Sequence, residues 1–97
     1  MRFMMMVTAA PDSEDMMRYT RGLQRAGVLL AQDGLFPAST GARISHKDGK
    51  ATVTDEAKQG IAGYWIIQVR SREEAIEWAK RAPISDDEVI EVRQIQA

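Results

Sequence analysis

The stretch Val53-Thr54-Asp55-Glu56-Ala57-Lys58-Gln59-Gly60-Ile61-Ala62-Gly63-Tyr64-Trp65-Ile66-Ile67-Gln68-Val69 decides the fold. It runs from a strand end through a charged loop and a pair of glycines into the most apolar strand of the chain. Ile61 to Val69 is β-branched and aromatic and is bounded by glycine, which predicts a strand. One face carries Ile61, Gly63, Trp65, Ile67 and Val69, and the other Ala62, Tyr64, Ile66 and Gln68. The first face is apolar throughout and the second about half so. Such a strand is central in its sheet and needs cover on both sides. Trp65 and Ile67 read as core. The Tyr64 hydroxyl needs a partner or water if it is buried.

Before this stretch, Asp48-Gly49 is a two-residue turn signal, and it predicts a hairpin of Gly41 to Lys47 with Lys50 to Asp55. The turn sets the register: Lys47 faces Lys50, His46 faces Ala51, Ile44 faces Val53 and Ala42 faces Asp55. Ile44, His46, Ala51, Val53 and Asp55 then share one side, and Arg43, Ser45, Thr52 and Thr54 the other. Further upstream, Val28 to Gln32 reads as a strand and Asp33-Gly34-Leu35-Phe36-Pro37 as the turn that follows it. Arg2 to Thr8 is a buried strand flanked on both sides, its consecutive Met4, Met5 and Met6 serving as adaptable core filling.

Between those two strands, Asp12 or Ser13 caps a helix over residues 13–26, with Glu14 and Asp15 in the first turn, where the dipole favours acids. Met16, Thr20 and Leu23 form its inner stripe, with Met17 and Ala26 beside it, and Gly27 suits a left-handed stop. Arg18, Arg21 and Arg25 fall on a solvated face. Ser71-Arg72-Glu73-Glu74 is a capping box that opens a second helix over residues 72–82. Ala75, Ile76, Ala79 and Ala82 line its inner stripe, and Pro83 stops it. Glu88 to Gln96 is the last strand. The order is strand, helix, strand, inserted hairpin, strand, helix, strand. This is the ferredoxin-like βαββαβ pattern of an α+β protein, with an antiparallel sheet and both helices on one face. The other face stays partly apolar, and two such faces packed together give a dimeric α+β barrel. A homodimer through the sheet faces is therefore expected.

The 97 residues make a single domain, 1–97, with a core but no room for a deep private pocket. A formal net charge of −1 argues against a dedicated nucleic-acid binder. The absence of cysteine excludes disulfides, thiolate zinc sites and cysteine nucleophiles, and fits a reducing cytoplasm. No apolar run approaches the ~20 residues that span a bilayer. Met1 to Val7 is not expected to be a signal peptide, because acidic Pro11-Asp12-Ser13-Glu14-Asp15 follows it. No internal repeat, low-complexity segment or linker interrupts the chain.

Several ordered segments resemble the YCII-related family, in particular its DGPF-type branch. They are Gly27-Val28-Leu29-Leu30 with Gly34-Leu35, Asp48-Gly49-Lys50 with Val53-Thr54-Asp55, and Glu56-Ala57-Lys58-Gln59-Gly60-Ile61-Ala62-Gly63-Tyr64. Glu74-Ala75-Ile76-Glu77-Trp78-Ala79 and Val89-Ile90-Glu91-Val92-Arg93 complete the set. The resemblance implies the fold and the dimer just described. It does not carry an activity. The branch's Gly-Pro-Phe-Ala is missing, since Asp55 runs straight into Glu56. Met16 and Ala82 stand where some relatives have a histidine and an aspartate proposed as a catalytic pair.

For chemistry the residues offer Asp55 as a candidate general base, with Arg43, Glu56, Lys58 and Tyr64 as candidate ligand-binding residues. They gather where a strand becomes a loop, and Arg43 or Lys58 would hold an anion. His46, the single histidine, lies four positions from the Ala42–Asp55 pair, about 13 Å along a strand, so it does not reach Asp55 within one hairpin. Two carboxylates without histidine are a poor metal set, so neither metal nor cofactor is expected. The first reading is a cytoplasmic homodimer that binds a small anionic or aromatic molecule in a cleft between sheet and hairpin. The others are a small lyase or isomerase using Asp55 as base, and a non-catalytic interaction or regulatory module.

Overall fold

The computed structural model describes residues 1–55 and 60–97. Four strands form one sheet: β1 (Arg2–Val7), β2 (Leu29–Gly34), β5 (Gly63–Gln68) and β6 (Ile90–Gln94), in the order β2-β5-β1-β6. Every neighbouring pair is antiparallel. Helices α1 (Glu14–Arg25) and α2 (Arg72–Lys80) make the two crossovers. β3 (Arg43–Lys47) and β4 (Lys50–Thr54) form a separate two-stranded sheet inserted between β2 and β5, after a short 3₁₀ turn at Ala38–Thr40. This is the ferredoxin-like α+β arrangement.

The sheet has one dry face. Phe3, Met5 and Val7 of β1 and Trp65 and Ile67 of β5 are buried, together with Val69, against Met16 and Leu23 of α1 and Ala75 of α2. Because side chains alternate along a strand, a single shared core that holds residues of both helices puts both helices on that one face. Trp65, fully buried, donates its indole N–H to Thr20 Oγ1 at 2.9 Å. Tyr19 meets it edge-on, with ring centroids 5.3 Å apart, and donates its hydroxyl to the carbonyl of Trp78 at 2.6 Å. Tyr19 thus ties α1 both to the central strand and to α2. Burial pushes the Tyr19 phenol up to about 12 against the opposing pull of Arg81.

The helix ends follow the local sequence. Ser13 accepts from the Met16 amide and Ser71 from the Glu74 amide, each at 3.1 Å. The return half of the expected capping box differs: Glu74 Oε2 accepts the amide of Arg70 at 3.0 Å, one residue before the cap, so it braces the incoming chain. Gly27, at φ 73°, closes α1: its amide bonds to Gln24 and that of Val28 to Leu23, the paired bonds of a Schellman motif. Arg18 pairs on the surface with Asp15 and Glu14 at 3.1 and 3.9 Å.

Some expected boundaries move. β5 starts at Gly63, two residues later than its composition suggests, and the pairing reaches only to Ala62, whose amide donates to Val7 O and whose carbonyl accepts the Leu35 amide. Ile61 is therefore half exposed and not on the core face. Met17 also lies exposed rather than beside the inner stripe of α1. Of the three consecutive methionines only Met5 is fully buried. Met4 and Met6 point to the opposite sheet face with Tyr64, Ile66 and Ala31, all partly buried, and Asp33, Glu91 and Arg93, exposed.

Candidate functional site

Glycine sets the geometry at one end of the sheet. Gly34 of β2 pairs with Gly63 of β5, and the buried Pro11 ring rests on that pair. A Cβ on Gly63 would stand 2.7 Å from Pro11 Cγ and 3.0 Å from the Asp33 carbonyl oxygen. The missing side chains let the β1–α1 loop lie flat on the sheet end. The Leu35 amide donating to Ala62 O at 2.8 Å carries the pairing one step further. Phe36 comes next and is 90% exposed.

A cavity lies on either side of Leu35-Phe36. The first, about 420 Å³, is lined by Ala10, Pro11, Asp12, Met17, Gln32 and Gly34 together with Leu35 and Phe36. The second, about 560 Å³, lies at the root of the hairpin, between Thr8 and Ala10 of the sheet end, Pro37 to Ser39 on the way into β3, and Gly60 to Ala62 on the way to β5. Both sizes suit small molecules. The first lining is mostly apolar and the second about evenly polar and apolar, and no lysine or arginine lines either cavity among the described residues. Phe36 offers a free ring face to a flat ligand.

Tyr64 and Asp33 form a second constellation, on the sheet face away from the helices. The Tyr64 hydroxyl donates to Asp33 Oδ2 at 3.0 Å across the β2–β5 pair. That hydrogen bond, reinforced by the charge of Asp33, raises the Tyr64 phenol above its ordinary value. The pair can offer carboxylate and phenol oxygens to a ligand donor, with the phenol held protonated.

Of the residues singled out from the sequence, Arg43 and Asp55 stand at the same end of the β3–β4 hairpin. Asp55 is an exposed residue just past β4, and Arg43, also exposed, stands opposite Thr54 on β3. His46 faces Ala51 on the same hairpin. Tyr64 belongs to the four-stranded sheet, and its hydrogen-bond partner is Asp33. Glu56 and Lys58 lie outside the described residues. Met16 and Ala82, at the positions of the proposed catalytic pair of some relatives, are both buried apolar residues. Sequence reasoning missed Leu35, Phe36 and Asp33 as site residues. The available signal was an aromatic residue before proline in a turn segment, with no apolar neighbours in register to bury it.

Among the described residues no group of three His, Cys, Asp or Glu side chains could hold a metal ion. No helix among them is long and apolar enough to cross a membrane. No curated protein matches the sequence. The model of the YCII-related domain matches residues 1–97, so the chain, with its βαββαβ order and its cavities at the sheet end, belongs to the YCII-related family.

Proposed function

We propose that the protein is a cytoplasmic homodimer that binds a small aromatic molecule in the cleft around Leu35-Phe36. The observation that carries the reading is Phe36, 90% exposed between two cavities of small-molecule size. A large ring left in water beside a preformed hollow gains by taking a flat ligand. The lining favours an aromatic over a purely anionic ligand, since its described polar groups are Thr8, Asp12, Gln32 and Ser39. An anionic substituent would have to be met from the hairpin, by Arg43. The hairpin turn and the segment Glu56 to Tyr64 support a place on the DGPF-type branch.

The dimer part of the proposal rests on the second sheet face. Met4, Met6 and Ile66 are only partly buried there, and Leu30 is half exposed at the bulge in β2. A sheet with apolar residues on both faces and helices on one needs a second cover. A general-base role for Asp55 is a further proposal of the same kind. Asp55 is exposed in the single chain, so that role requires cover from another chain.

The test is an NMR titration of the labelled protein with benzoate and with indole, alongside light scattering. Binding should move the amides of Gly34, Leu35 and Ala62, and Phe36→Ala should weaken it by about tenfold or more. Absence of shifts at millimolar ligand, or shifts indifferent to Phe36→Ala, would overturn the pocket. A monomer at micromolar concentration would overturn the dimer.

A further inference from the structure

The β3–β4 hairpin stands apart from the body. Its strands hydrogen-bond to each other in a sheet of their own, and every residue from Arg43 to Thr54 is exposed. Ile44 and Val53 face each other directly and are each 61% exposed. Ala51 and His46 share their side. The molecule measures 47 × 32 × 21 Å, with a radius of gyration of 15.4 Å, against about 12.5 Å for a compact chain of this length. An isolated two-stranded hairpin is at best marginally stable in water. This one adds an unfavourable Lys47–Lys50 facing pair at its tip.

The accessible surface gives the size of what is missing. It is 7145 Å², whereas a compact monomer of 10.8 kDa exposes about 5,500 Å². The excess is about 1,600 Å² per chain. Two chains hiding it would bury about 3,200 Å² in total, which is the range of obligate homodimers. The chain carries two unpartnered apolar surfaces of its own, the Ile44–Val53 side of the hairpin and the Met4, Met6, Ile66 face of the sheet. A two-fold pair satisfies both at once, because each copy supplies each surface.

We propose that the β3–β4 hairpin is an exchange arm, which seats Ile44 and Val53 on the uncovered sheet face of a second copy of the same chain. It rests on the dimer reading above and deepens it. The arm then brings Asp55, just past β4, to the partner, so the cover Asp55 lacks in one chain comes from the second. The partner of this surface is thus a copy of this chain, not an unrelated protein.

The experiment compares wild type with the double variant Ile44→Asp, Val53→Asp by sedimentation, and locates the arm by paramagnetic broadening. The chain has no cysteine, so Thr52→Cys on the arm's opposite side gives one site for a spin label. Labelled chains are mixed with isotope-enriched, unlabelled-arm chains. The expected results are a wild-type dimer, a dissociation constant raised at least about 100-fold in the double variant, and broadening of Met4, Met6 and Ile66 amides in the enriched copy. Near-UV circular dichroism of the buried Trp65 should be unchanged, which separates dissociation from unfolding. A wild-type dimer as tight as the double variant overturns the arm and leaves the sheet-face dimer standing. Met4, Met6 and Ile66 amides that stay sharp in the enriched copy overturn it as well. A monomeric wild type overturns both.

Discussion

Trp65→Ala is the sharpest test of how the sheet and helices are held together. The side chain is fully buried, so the substitution removes its transfer free energy and leaves a cavity under both helices. Such truncations cost about 3–5 kcal/mol. Two losses push this site to the upper end. The edge-on contact with Tyr19 disappears, worth about 0.5–1.5 kcal/mol, and Thr20 Oγ1 loses its indole donor. A domain of this size has only about 5–15 kcal/mol to lose. At about 0.2 kcal/mol per degree the melting temperature should fall by roughly 15–25 °C. Urea and thermal unfolding, followed by far-UV circular dichroism at one fixed protein concentration, read the change directly. Thr20→Val isolates the hydrogen bond and should cost about 1–3 kcal/mol, because it strands a buried N–H. A loss below about 1 kcal/mol for Trp65→Ala would refute the placement of this ring, and with it the assignment of the dry face.

Three further outcomes are expected. Gly63→Ala should destabilise by about 1–3 kcal/mol in denaturant unfolding, since its Cβ would stand 2.7 Å from Pro11 Cγ, and Pro11→Gly in the same chain should recover much of the loss. Asp33→Asn should lower the Tyr64 phenol titration, read by ultraviolet absorbance, because Asp33 is what raises it; a titration that does not move would dissociate the pair. The contribution of Tyr19 to stability should be flat with pH below the ordinary tyrosine value of 10.0 and fall as pH rises from there towards about 12, because the unfolded chain then releases the Tyr19 proton while the folded chain keeps it. In Tyr19→Phe that fall should be reduced, and a fall unchanged from wild type would place its origin elsewhere.

The parts of the fold that were legible in the sequence are those fixed by near neighbours. Asp48 and Gly49 both take positive φ, 51° and 79°, and the hairpin register from Arg43–Thr54 to Lys47–Lys50 follows from that turn. Ser13, Ser71 and Gly27 mark helix ends for equally local reasons, a side-chain oxygen for free amides and a residue without Cβ at φ 73°. What was not legible depends on distant partners. Nothing near Gly63 in sequence announces that Pro11 needs its missing Cβ. Nothing in the spacing of α1 singles out Tyr19, which packs against the core through its edge-on contact with Trp65 and its bond to the Trp78 carbonyl. Ile61 has the composition of a core strand residue, yet the pairing reaches only to Ala62, whose amide donates to Val7 O and whose carbonyl accepts the Leu35 amide. The candidate site suffered most. Its reading followed charged residues on the hairpin, Asp55 and Arg43, whereas the cavities lie at the hairpin root, around apolar Leu35 and Phe36.

That displacement has a physical cause that bears on function. A core this small is filled from one side by two short helices, with Trp65, Phe3 and Leu23 buried in it. The two hollows around Leu35-Phe36 lie where the layers end. At the sheet end with Gly34 and Gly63 two insertions meet, the β1–α1 loop flattened by glycine and the hairpin leaving through Leu35 to Ser39. The hairpin that opens the cleft is also the element with the least support from its own chain. Whatever holds the hairpin sets the width of the cleft at its root. On the proposed dimer binding and assembly are coupled: a ligand against Phe36 that tightens the dimer by a given factor is itself weakened by that factor when the dimer dissociates.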